Sequence, residues 1–449
     1  MCVIGAGTAG FIAAQTARAL GKSVLLVSGP GDLGGTCILR GCMPAKALLS
    51  STERLGNVES AAEVGVTTNA PRVDLRALIA RKRELTDYFA EDRVQDLETY
   101  PLSRGCARFV APDTIEVDDK RITADRFVVA TGSKIVPPAI DGLSAAGFIT
   151  SDDALEMTQI PASIAVIGGG PVGCEFSQYF ARLGARVTLL QDAPLLLRNE
   201  DEDMAVAVAG ALTHDGVELF CDAQVVRCAR DGEDRVVTYT HNGETRDVRV
   251  NLIMLATNRL PNTAALGLES AGIRTGARGE IVIDEFLNTT NDRTFAAGDV
   301  IGRRCLVHVA AYAGRLAVHN AFAREPRAAD FDRFEAHAVY TQPQVAVTGL
   351  TERTCAERGL DVSVRRHPFH DVGKALVSGQ VTGFVKMIAG ADDRILGVAI
   401  FGEDAIDLIG EAVALIDAGS TTQHVAEMPH LHPAMGEILA RVAEDFTAA

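Results

Sequence analysis

The chain opens with MCVIGAGTAGFIAAQTARALGKSVLLVS at residues 1–28. A short apolar run leads into three glycines, Gly5, Gly7 and Gly10, which are followed by a segment with helical periodicity and a second apolar run. This order predicts a strand, a tight turn, a helix that begins near Thr8, and another strand. Such glycines let the backbone approach a pyrophosphate closely, and the helix presents free N–H groups and its positive end to that charge. The glycine spacing alone is a weak signal, but here a strand and a helix flank it.

The same pattern returns at residues 164–192, which read IAVIGGGPVGCEFSQYFARLGARVTLLQD. Gly168, Gly170 and Gly173 stand between a predicted strand and a predicted helix, and a further strand is predicted to run through Leu190. Two phosphate-binding turns in one chain indicate two dinucleotides. The economical pairing is a flavin with a nicotinamide nucleotide.

The residue at the end of the second strand of each unit normally contacts the adenosine ribose and is usually acidic. Ser28 stands there in the first unit, and Gln191 followed by Asp192 in the second. A carboxylate at this place favours the 2′-hydroxyl of NAD, whereas Arg198 a few residues on would attract the 2′-phosphate of NADP. The sequence favours NAD, with NADP as the alternative.

Length and charge set the broad class of the protein. The 449 residues predict two to four domains, and a formal charge of -16 argues against nucleic acid or an anionic membrane as partner. No stretch reaches the roughly 20 apolar residues that span a bilayer. The first glycine motif begins at Gly5 and leaves no room for a leader, so we expect a reducing cytoplasm.

Two of the nine cysteines form a close pair, in the segment GTCILRGCMPAK at residues 35–46. Cys37 and Cys42 are separated by four residues, whereas the other seven cysteines have no close partner. Thiol–disulfide exchange needs one thiolate that attacks and a second thiol that resolves the mixed disulfide. The pair therefore predicts redox chemistry.

The surroundings of the pair favour a thiolate. Pro44 suits the first turn of a helix, and we expect the positive end of that helix, together with Arg40 and Lys46, to lower a thiol pKa. The alternatives are a zinc site, for which no second cysteine pair is visible, two inert buried thiols, and a merely solvated Arg40. We expect no metal site.

Further segments complete a pattern that covers nearly the whole chain: VVATGS at 128–133, FAAGDV at 295–300, VYTQPQVAVTGLTE at 339–352, GFVKMIAGADDRILG at 383–397 and HLHPAMGEIL at 430–439. With the two glycine motifs and the cysteine pair, the sequence resembles the flavin-dependent class I pyridine nucleotide-disulfide oxidoreductases, and within them most closely the dihydrolipoamide dehydrogenases. The resemblance implies an α/β fold with two Rossmann-like dinucleotide-binding domains, for FAD and for NAD(P), and a C-terminal α+β dimerisation domain. The implied boundaries are 1–143 for FAD, 144–262 for NAD(P), 263–330 for a segment completing the FAD site, and 331–449 for dimerisation.

The resemblance also implies roles for individual residues. Cys42 would face the flavin and Cys37 would exchange with the substrate, while Lys46 and Glu175 would form an ion pair beside the flavin N5; on the sequence alone each of these two is more often an ordinary surface charge. Asp299 would bind the FAD ribityl chain, and the helix starting near 306–308 would point its positive end at the flavin. The other implied cofactor contacts are Gly35, Thr36, Thr131, Gly132, Ser133, Leu306, Val307 and His308. The NAD(P) domain departs from the family at Asn258, where a glycine is usual, and the first strand is short, so we expect weaker FAD binding.

The segment HLHPAMGE places His432 before a proline and Glu437 on a probable helix. The two side chains meet only if His432 precedes the helix. A histidine oriented by a carboxylate suits proton transfer near neutral pH, although Glu437 could merely complement the helix N-terminus. By resemblance, His432 acts on the cysteine pair of the other subunit, which makes the enzyme a homodimer.

The expected function is dihydrolipoamide oxidation, with a lipoyl-bearing protein or a small dithiol as partner. Three alternatives stay open. They are reduction of another disulfide such as glutathione, reduction of mercuric ion, and a low-turnover flavoprotein partner module. Mercuric reductases carry a further cysteine pair near the C-terminus, whereas here no cysteine follows Cys355.

Overall fold

The computed structural model describes residues 1–257 and 259–447. The helices in chain order are α1 (Thr8–Ala19), α2 (Thr36–Leu39), α3 (Cys42–Glu59), α4 (Leu75–Glu98), α5 (Leu143–Ala146), α6 (Ser151–Ala154), α7 (Pro171–Arg182), α8 (Glu202–His214), α9 (Val307–Phe322), α10 (Glu352–Glu357), α11 (Gly373–Ser378), α12 (Ala405–Asp417), α13 (Thr422–Glu427) and α14 (Glu437–Thr447). Short 3-10 helices cover Ser60–Val64, Leu268–Ala271, Asp299–Ile301, Asp332–Phe334 and Phe369–Asp371.

The strands in chain order are β1 (Cys2–Ile4), β2 (Leu25–Ser28), β3 (Leu102–Arg104), β4 (Ala107–Ala111), β5 (Thr114–Val117), β6 (Lys120–Thr123), β7 (Phe127–Val129), β8 (Ser133–Ile135), β9 (Ile149–Thr150), β10 (Ser163–Ile167), β11 (Arg186–Leu190), β12 (Glu218–Phe220), β13 (Gln224–Asp231), β14 (Asp234–His241), β15 (Glu244–Val250), β16 (Leu252–Leu255), β17 (Arg259–Pro261), β18 (Thr294–Ala296), β19 (His337–Val339), β20 (Gln344–Gly349), β21 (Val362–Pro368), β22 (Phe384–Gly390) and β23 (Ile395–Gly402).

One compact unit comprises Met1–Ala47, Ala80–Pro137 and Asn258–Phe334. Its main sheet is parallel with the strand order β18–β7–β1–β2–β3. Strands β1 and β7 are buried along their whole length, which explains their unbroken apolar runs. Helices α1 and α9 pack closely against each other, since a Cβ at Gly314 of α9 would lie 2.3 Å from the carbonyl oxygen of Ala9 of α1. A small antiparallel sheet, β4–β5–β6, and the pair β17–β8 complete the unit.

The other unit comprises Leu48–Ile79, Pro138–Thr257 and Glu335–Ala449. It holds a second parallel sheet of order β12–β11–β10–β16–β9 and an antiparallel sheet β13–β14–β15. A further sheet, β19–β20–β23–β22–β21, is antiparallel and packs against α12 and α14. The sequence did not predict the β13–β15 sheet.

A buried ion cluster holds part of the second unit together. Lys386 on β22 is 2% exposed, and its Nζ lies 2.7 Å from carboxylate oxygens of Asp201 and Asp203 and 2.8 Å from Glu352. Burial alone would lower the pKa of Lys386, but the hydrogen bonds from its ammonium to the three carboxylates outweigh burial and raise it. The cluster joins the start of α8 to the C-terminal sheet.

The predicted fold class is confirmed: the structure has two parallel sheets with helix-flanked glycine turns and a C-terminal α+β part. Helix α1 begins at Thr8 and β11 ends at Leu190, as the sequence predicted. The division at residues 143, 262 and 330 stays a prediction. No helix within residues 1–257 and 259–447 is long and apolar enough to cross a membrane.

Candidate active site

The first glycine turn has the close contacts that a phosphate-binding turn needs. Gly5 has a φ of +111°, and a Cβ there would lie 2.2 Å from the carbonyl oxygen of Ala130. A Cβ at Gly10 would lie 1.8 Å from the carbonyl oxygen of Gly5, so neither position accepts a side chain. Gly7 caps α1 and has open space out to 4.0 Å. The first and third glycines therefore close the turn, and the second leaves room for a pyrophosphate at the helix N-terminus.

The second glycine turn repeats this geometry. Gly168 also has a φ of +111°, and a Cβ at Gly173 would lie 1.8 Å from the carbonyl oxygen of Gly168. Gly170 caps α7, and no atom lies within 4 Å of a Cβ built there. Pro171 occupies the first helical position, where its missing N–H costs nothing. Both turns thus fit a dinucleotide.

The positions expected at the adenosine ribose differ in exposure. Gln191 is 2% exposed, its Oε1 accepts from the Gly169 N–H at 2.8 Å, and its Nε2 donates to the Leu195 carbonyl at 3.3 Å. The Gln191 side chain therefore stabilises the glycine turn through these two hydrogen bonds. Its contact with the adenosine ribose stays a prediction. Asp192 and Arg198 are exposed and form an ion pair with 2.5 Å between Oδ1 and Nη2.

In the first unit, Ser28 ends β2 at the corresponding place. It is partly buried, and its carbonyl oxygen accepts from the Gly105 N–H at 2.9 Å. Its neutral side chain offers no carboxylate for a ribose.

Hydrogen-bonded polar side chains lie around Asp299, the residue expected to bind the FAD ribityl chain. Arg259 Nε donates to Ser133 Oγ at 2.8 Å, and Ser133 Oγ donates to Asp299 Oδ2 at 2.6 Å. The three residues line a cavity of about 110 Å³ together with Cys305. Burial, and then the charge of Asp299, raise the pKa of the Cys305 thiol to about 11. The sequence analysis did not identify Arg259. The available signal was the segment ATNRLPN, because its strand β17 pairs with β8, which begins at the end of the VVATGS motif.

The neighbouring turn is also held by hydrogen bonds. Thr131 Oγ1 donates to the Asn262 carbonyl at 2.9 Å, and the Asn262 N–H donates to the Gly132 carbonyl at 2.9 Å. Leu306 caps α9, so the helix begins at Val307, within the predicted range 306–308, and His308 lies exposed in its first turn. Asn258 lies outside the described residues.

The cysteine pair is assembled by a close turn between two helices. Cys37 lies in α2, and Cys42 is the first residue of α3, at its positive end. Gly41 allows the approach, because a Cβ there would lie 3.0 Å from the Thr36 carbonyl oxygen and 3.3 Å from the Cys37 Cα. The two cysteines are in the thiol form and share a side-chain hydrogen bond. Pro44 lies in the first turn, as predicted.

The pKa of Cys37 is raised, so the predicted lowering for one thiol of the pair stays a prediction. The hydrogen bond with Cys42, followed by burial, raises the pKa of Cys37 far above its ordinary value. Two adjacent sulfurs cannot both ionise easily, so the first proton lost leaves the second held tightly. The cation that acts against this rise is Arg93 of α4, rather than the Arg40 and Lys46 that the sequence indicated.

The two residues expected beside the flavin N5 lie in different compact units. Lys46 is a partly buried residue of α3. Glu175 is 3% exposed on α7, and its Oε1 accepts from the Tyr340 N–H at 2.9 Å. Their ion pair stays a prediction.

The expected histidine–carboxylate pair is formed. His432 precedes α14 and its Nδ1 lies 2.9 Å from Glu437 Oε2, while Glu437 Oε1 accepts from the Ala434 N–H at 2.8 Å. The hydrogen bond with His432, and then that from Ala434, lower the pKa of Glu437. The imidazole is 76% exposed and the carboxylate 15%, so the ring presents Nε2 outward while the buried carboxylate orients it.

The fold and these sites define an oxidoreductase that joins two dinucleotide-binding domains to a cysteine pair. The sequence matches the pyridine nucleotide-disulphide oxidoreductase family over residues 1–314 and the dimerisation domain of that family over residues 336–443. The chain belongs to the pyridine nucleotide-disulphide oxidoreductase family, which is FAD-dependent and uses NAD(P). The dimerisation domain supports a homodimer.

Relatives with different activities share this architecture. A mercuric reductase from Bacillus cereus is 36% identical over 449 residues, covering 99% of this chain and 71% of that protein. A dihydrolipoyl dehydrogenase from Geobacillus stearothermophilus is 33% identical over 452 residues, covering 98% and 95%. The solved structure of the HOCl-induced flavoprotein disulfide reductase RclA from Escherichia coli superposes with a TM-score of 0.87 at 28% identity, covering 99% of each chain.

Proposed function

We propose that the protein oxidises a dithiol, with dihydrolipoamide as the leading substrate, and passes the electrons to NAD. The observation that carries this proposal is the formed His432–Glu437 pair in a chain that also holds the Cys37–Cys42 pair. A base that removes a thiol proton is what dithiol oxidation needs. The relatedness to dihydrolipoyl dehydrogenases supports it.

The sulfur chemistry balances within the chain and its substrate. His432 takes a proton from the first substrate thiol, and the resulting thiolate attacks Cys37 Sγ. The Cys37–Cys42 bond breaks, and Cys42 leaves as a thiolate. The second substrate thiol then attacks the substrate sulfur bound to Cys37, which forms the substrate disulfide and releases Cys37 Sγ. The proton of that second thiol passes to the cysteine pair, so that the two sulfurs hold one proton between them.

The chain's own residues fit both cofactors. The turns at Gly7 and Gly170 leave room for the two pyrophosphates, and Asp299 with Ser133 offers polar contacts for the ribityl chain. When bound, FAD supplies a two-electron carrier between the cysteine pair and the nicotinamide nucleotide. His432 of one subunit would act on the cysteine pair of its partner in the homodimer.

We infer a preference for NAD from the ribose position. The Asp192–Arg198 ion pair already neutralises the arginine that would otherwise attract a 2′-phosphate. Steady-state comparison should give a higher kcat/KM for NAD than for NADP. We infer a reducing cytoplasm as the location, because nine cysteines in 449 residues do not make a disulfide framework.

Mercuric ion is the second candidate substrate, because a mercuric reductase is 36% identical over nearly the whole chain. The formed His432–Glu437 pair favours dithiol oxidation over this candidate. A thiolate pair at a helix N-terminus binds soft cations, so the ion belongs in the test.

The test is a substrate panel with purified protein: dihydrolipoamide, oxidised glutathione, mercuric ion and quinones. We expect dihydrolipoamide-dependent NAD reduction that Cys37→Ser abolishes. Cys106→Ser, which changes an exposed cysteine outside the pair, is the matched control and should retain the activity. Equal rates in wild type and Cys37→Ser would remove the proposal, and a preference for mercuric ion would favour the second candidate.

A further inference from the structure

A second histidine–carboxylate pair lies just before the proposed base in the chain, and the proposed proton transfer does not use it. His430 Nε2 lies 2.8 Å from Glu411 Oε1, and His430 Nδ1 lies 3.0 Å from the Met428 carbonyl oxygen. The His430 side chain is 10% exposed, whereas that of His432 is 76% exposed. No pattern within HLHPAMGE indicates this pair, because Glu411 lies 19 residues before His430, on α12.

The hydrogen-bond partners of His430 determine how many protons the pair holds. A neutral imidazole donates from one ring nitrogen and accepts at the other. Here a carbonyl oxygen faces Nδ1 and a carboxylate oxygen faces Nε2. Both contacts are hydrogen bonds when Nδ1 carries a proton and a second proton lies between Nε2 and Glu411. The contact with Glu411 is then charge-assisted, and such a bond is stronger than one between neutral groups.

The Glu411 carboxylate meets the segment that carries His432 on both sides of that residue. Its Oε1 contacts His430, and its Oε2 would lie 3.7 Å from a Cβ at Gly436. This segment, residues 428–436, connects α13 to α14. Helices α12 and α14 share one hydrophobic core, to which Met435 of the segment also belongs. Glu411 therefore joins the segment to a helix of the C-terminal core.

His432 is held differently on its two sides. Glu437, the first residue of α14, orients the ring through the 2.9 Å contact with Nδ1. On the other side, only Leu431 separates His432 from His430. Leu431 is 80% exposed, so the segment leaves the core at His430 and His432 projects from the point where His430 is held.

We propose that His430 is a positioning residue, which together with Glu411 holds the 428–436 segment on α12 and so places the proposed base. Glu437 orients the ring of His432, and the His430–Glu411 pair fixes the backbone that carries this ring. A base on an exposed segment transfers protons efficiently only when its position is fixed relative to the thiol. This inference deepens the proposed function and rests on it, since it concerns the same base.

Hydrogen exchange of the backbone amides, read by mass spectrometry on the FAD-loaded homodimer, measures this anchoring without a substrate. Glu411→Gln keeps the size of the side chain and removes its charge. We expect this variant to speed exchange in peptides covering residues 428–436 by about tenfold, because local opening no longer has to break the charge-assisted bond. Peptides of the buried strand β22 should exchange as in wild type.

Steady-state kinetics link the anchoring to the base. We expect Glu411→Gln to lower kcat for dihydrolipoamide oxidation by about five- to tenfold and to leave KM near the wild-type value, because a displaced base costs rate rather than binding. Two substitutions of His430 separate its hydrogen bonds, since a glutamine amide takes the place of Nε2 and an asparagine amide that of Nδ1. His430→Gln should therefore keep more activity than His430→Asn.

Glu427→Gln is the matched control, because Glu427 precedes the same segment and forms an exposed hydrogen bond with Gln423 at 3.0 Å. If Glu411→Gln does not fold, Glu411→Asp, which shortens the carboxylate side chain, replaces it with the same expectation. Wild-type exchange or wild-type kcat in Glu411→Gln, an equal change in Glu427→Gln, or a more active His430→Asn than His430→Gln would overturn the inference. Exchange needs no substrate, so unaltered exchange in an enzyme that oxidises dihydrolipoamide removes only this inference, and faster exchange in a protein without that activity removes only the proposed function.

Discussion

Cys37 and Cys42 act as one unit rather than as two independent thiols. Their hydrogen bond means that the proton lost first belongs to the pair, and the raised pKa of Cys37 describes the second ionisation. A thiolate on either sulfur is therefore a property of the pair rather than of one residue.

Glu437 is the orienting partner of the proposed base. We expect Glu437→Gln to lower the turnover of dihydrolipoamide by about ten- to hundredfold, as part of the roughly 10²–10⁴-fold that a general base supplies. Glu444→Gln is the matched control, since Glu444 lies on the same helix in an exposed pair with Arg441. Equal turnover in the two variants would contradict the role of Glu437.

The lowered pKa of Glu437 also gives a stability prediction. Because its folded pKa lies below the ordinary value near 4.5, its contribution to stability is complete above that value and is lost as the pH falls through the lowered pKa. Urea unfolding should show wild type to be more stable than Glu437→Gln at pH 7, with a smaller difference in stronger acid. A difference that grows toward acid would contradict this sign.

The sequence located the residues whose types and spacing carry chemistry, and missed those placed by packing. Cys37, Cys42, His432 and Glu437 stand in short segments, and their spacing together with the family resemblance indicated the two pairs. Arg93 is far from Phe11 in sequence, and its guanidinium stacks on that ring only because α4 lies against the start of α1. No local pattern reports such a contact, and the expected roles of Arg40 and Lys46 rested on chain proximity alone.

The positions within the two glycine turns differ in whether they can accept a side chain. We expect Gly170→Ala to fold and keep its FAD, because no atom lies within 4 Å of a Cβ there, yet to bind NADH at least about tenfold more weakly as the methyl group occupies the phosphate position. Gly173→Ala should fail to fold or lose its nicotinamide domain, since its Cβ would lie 1.8 Å from a carbonyl oxygen. Dissociation constants for NADH and urea unfolding curves test both variants; normal NADH binding by Gly170→Ala would contradict the assignment of this turn.

The strand–turn–helix units were predictable because two signals coincide in each. Apolar runs mark the buried strands, and glycines mark the turn where Gly5 and Gly10 admit no side chain. The sequence of the β13–β15 sheet does not combine an apolar run with a glycine turn in this way. Its register depends on the cross-strand pairs of β14 with its two neighbours, which a single sequence does not reveal.

The whole molecule is expected to work as a homodimer in which each active site takes residues from both subunits. Random mixing of Cys37→Ser and His432→Ala subunits should give hybrid dimers with one intact site each, and so about a quarter of wild-type activity from two nearly inactive parents. Co-expression with two affinity tags isolates the hybrid dimers, in which one of the two sites is intact, so this fraction should show about half of the wild-type activity. Hybrids as inactive as the parents would place His432 and the cysteine pair of one subunit in the same site.

Domain boundaries follow from contacts across the chain that motifs do not describe. The family resemblance implied four segments, whereas the contacts group the chain into two compact units. The Lys386 cluster shows one cause, since it ties Asp201 and Asp203 of the predicted nicotinamide segment to β22 of the predicted dimerisation segment. The sequence showed the order of the motifs, but it did not show how the segments pack against one another.

The central claim is that electrons pass between a bound flavin and the Cys37–Cys42 pair. Anaerobic titration of the purified, FAD-loaded protein with dithionite measures this directly. The account predicts about four electrons per subunit for wild type, two for the flavin and two for the disulfide, and about two for Cys37→Ser. Uptake of only two electrons by the oxidised wild-type protein would contradict it.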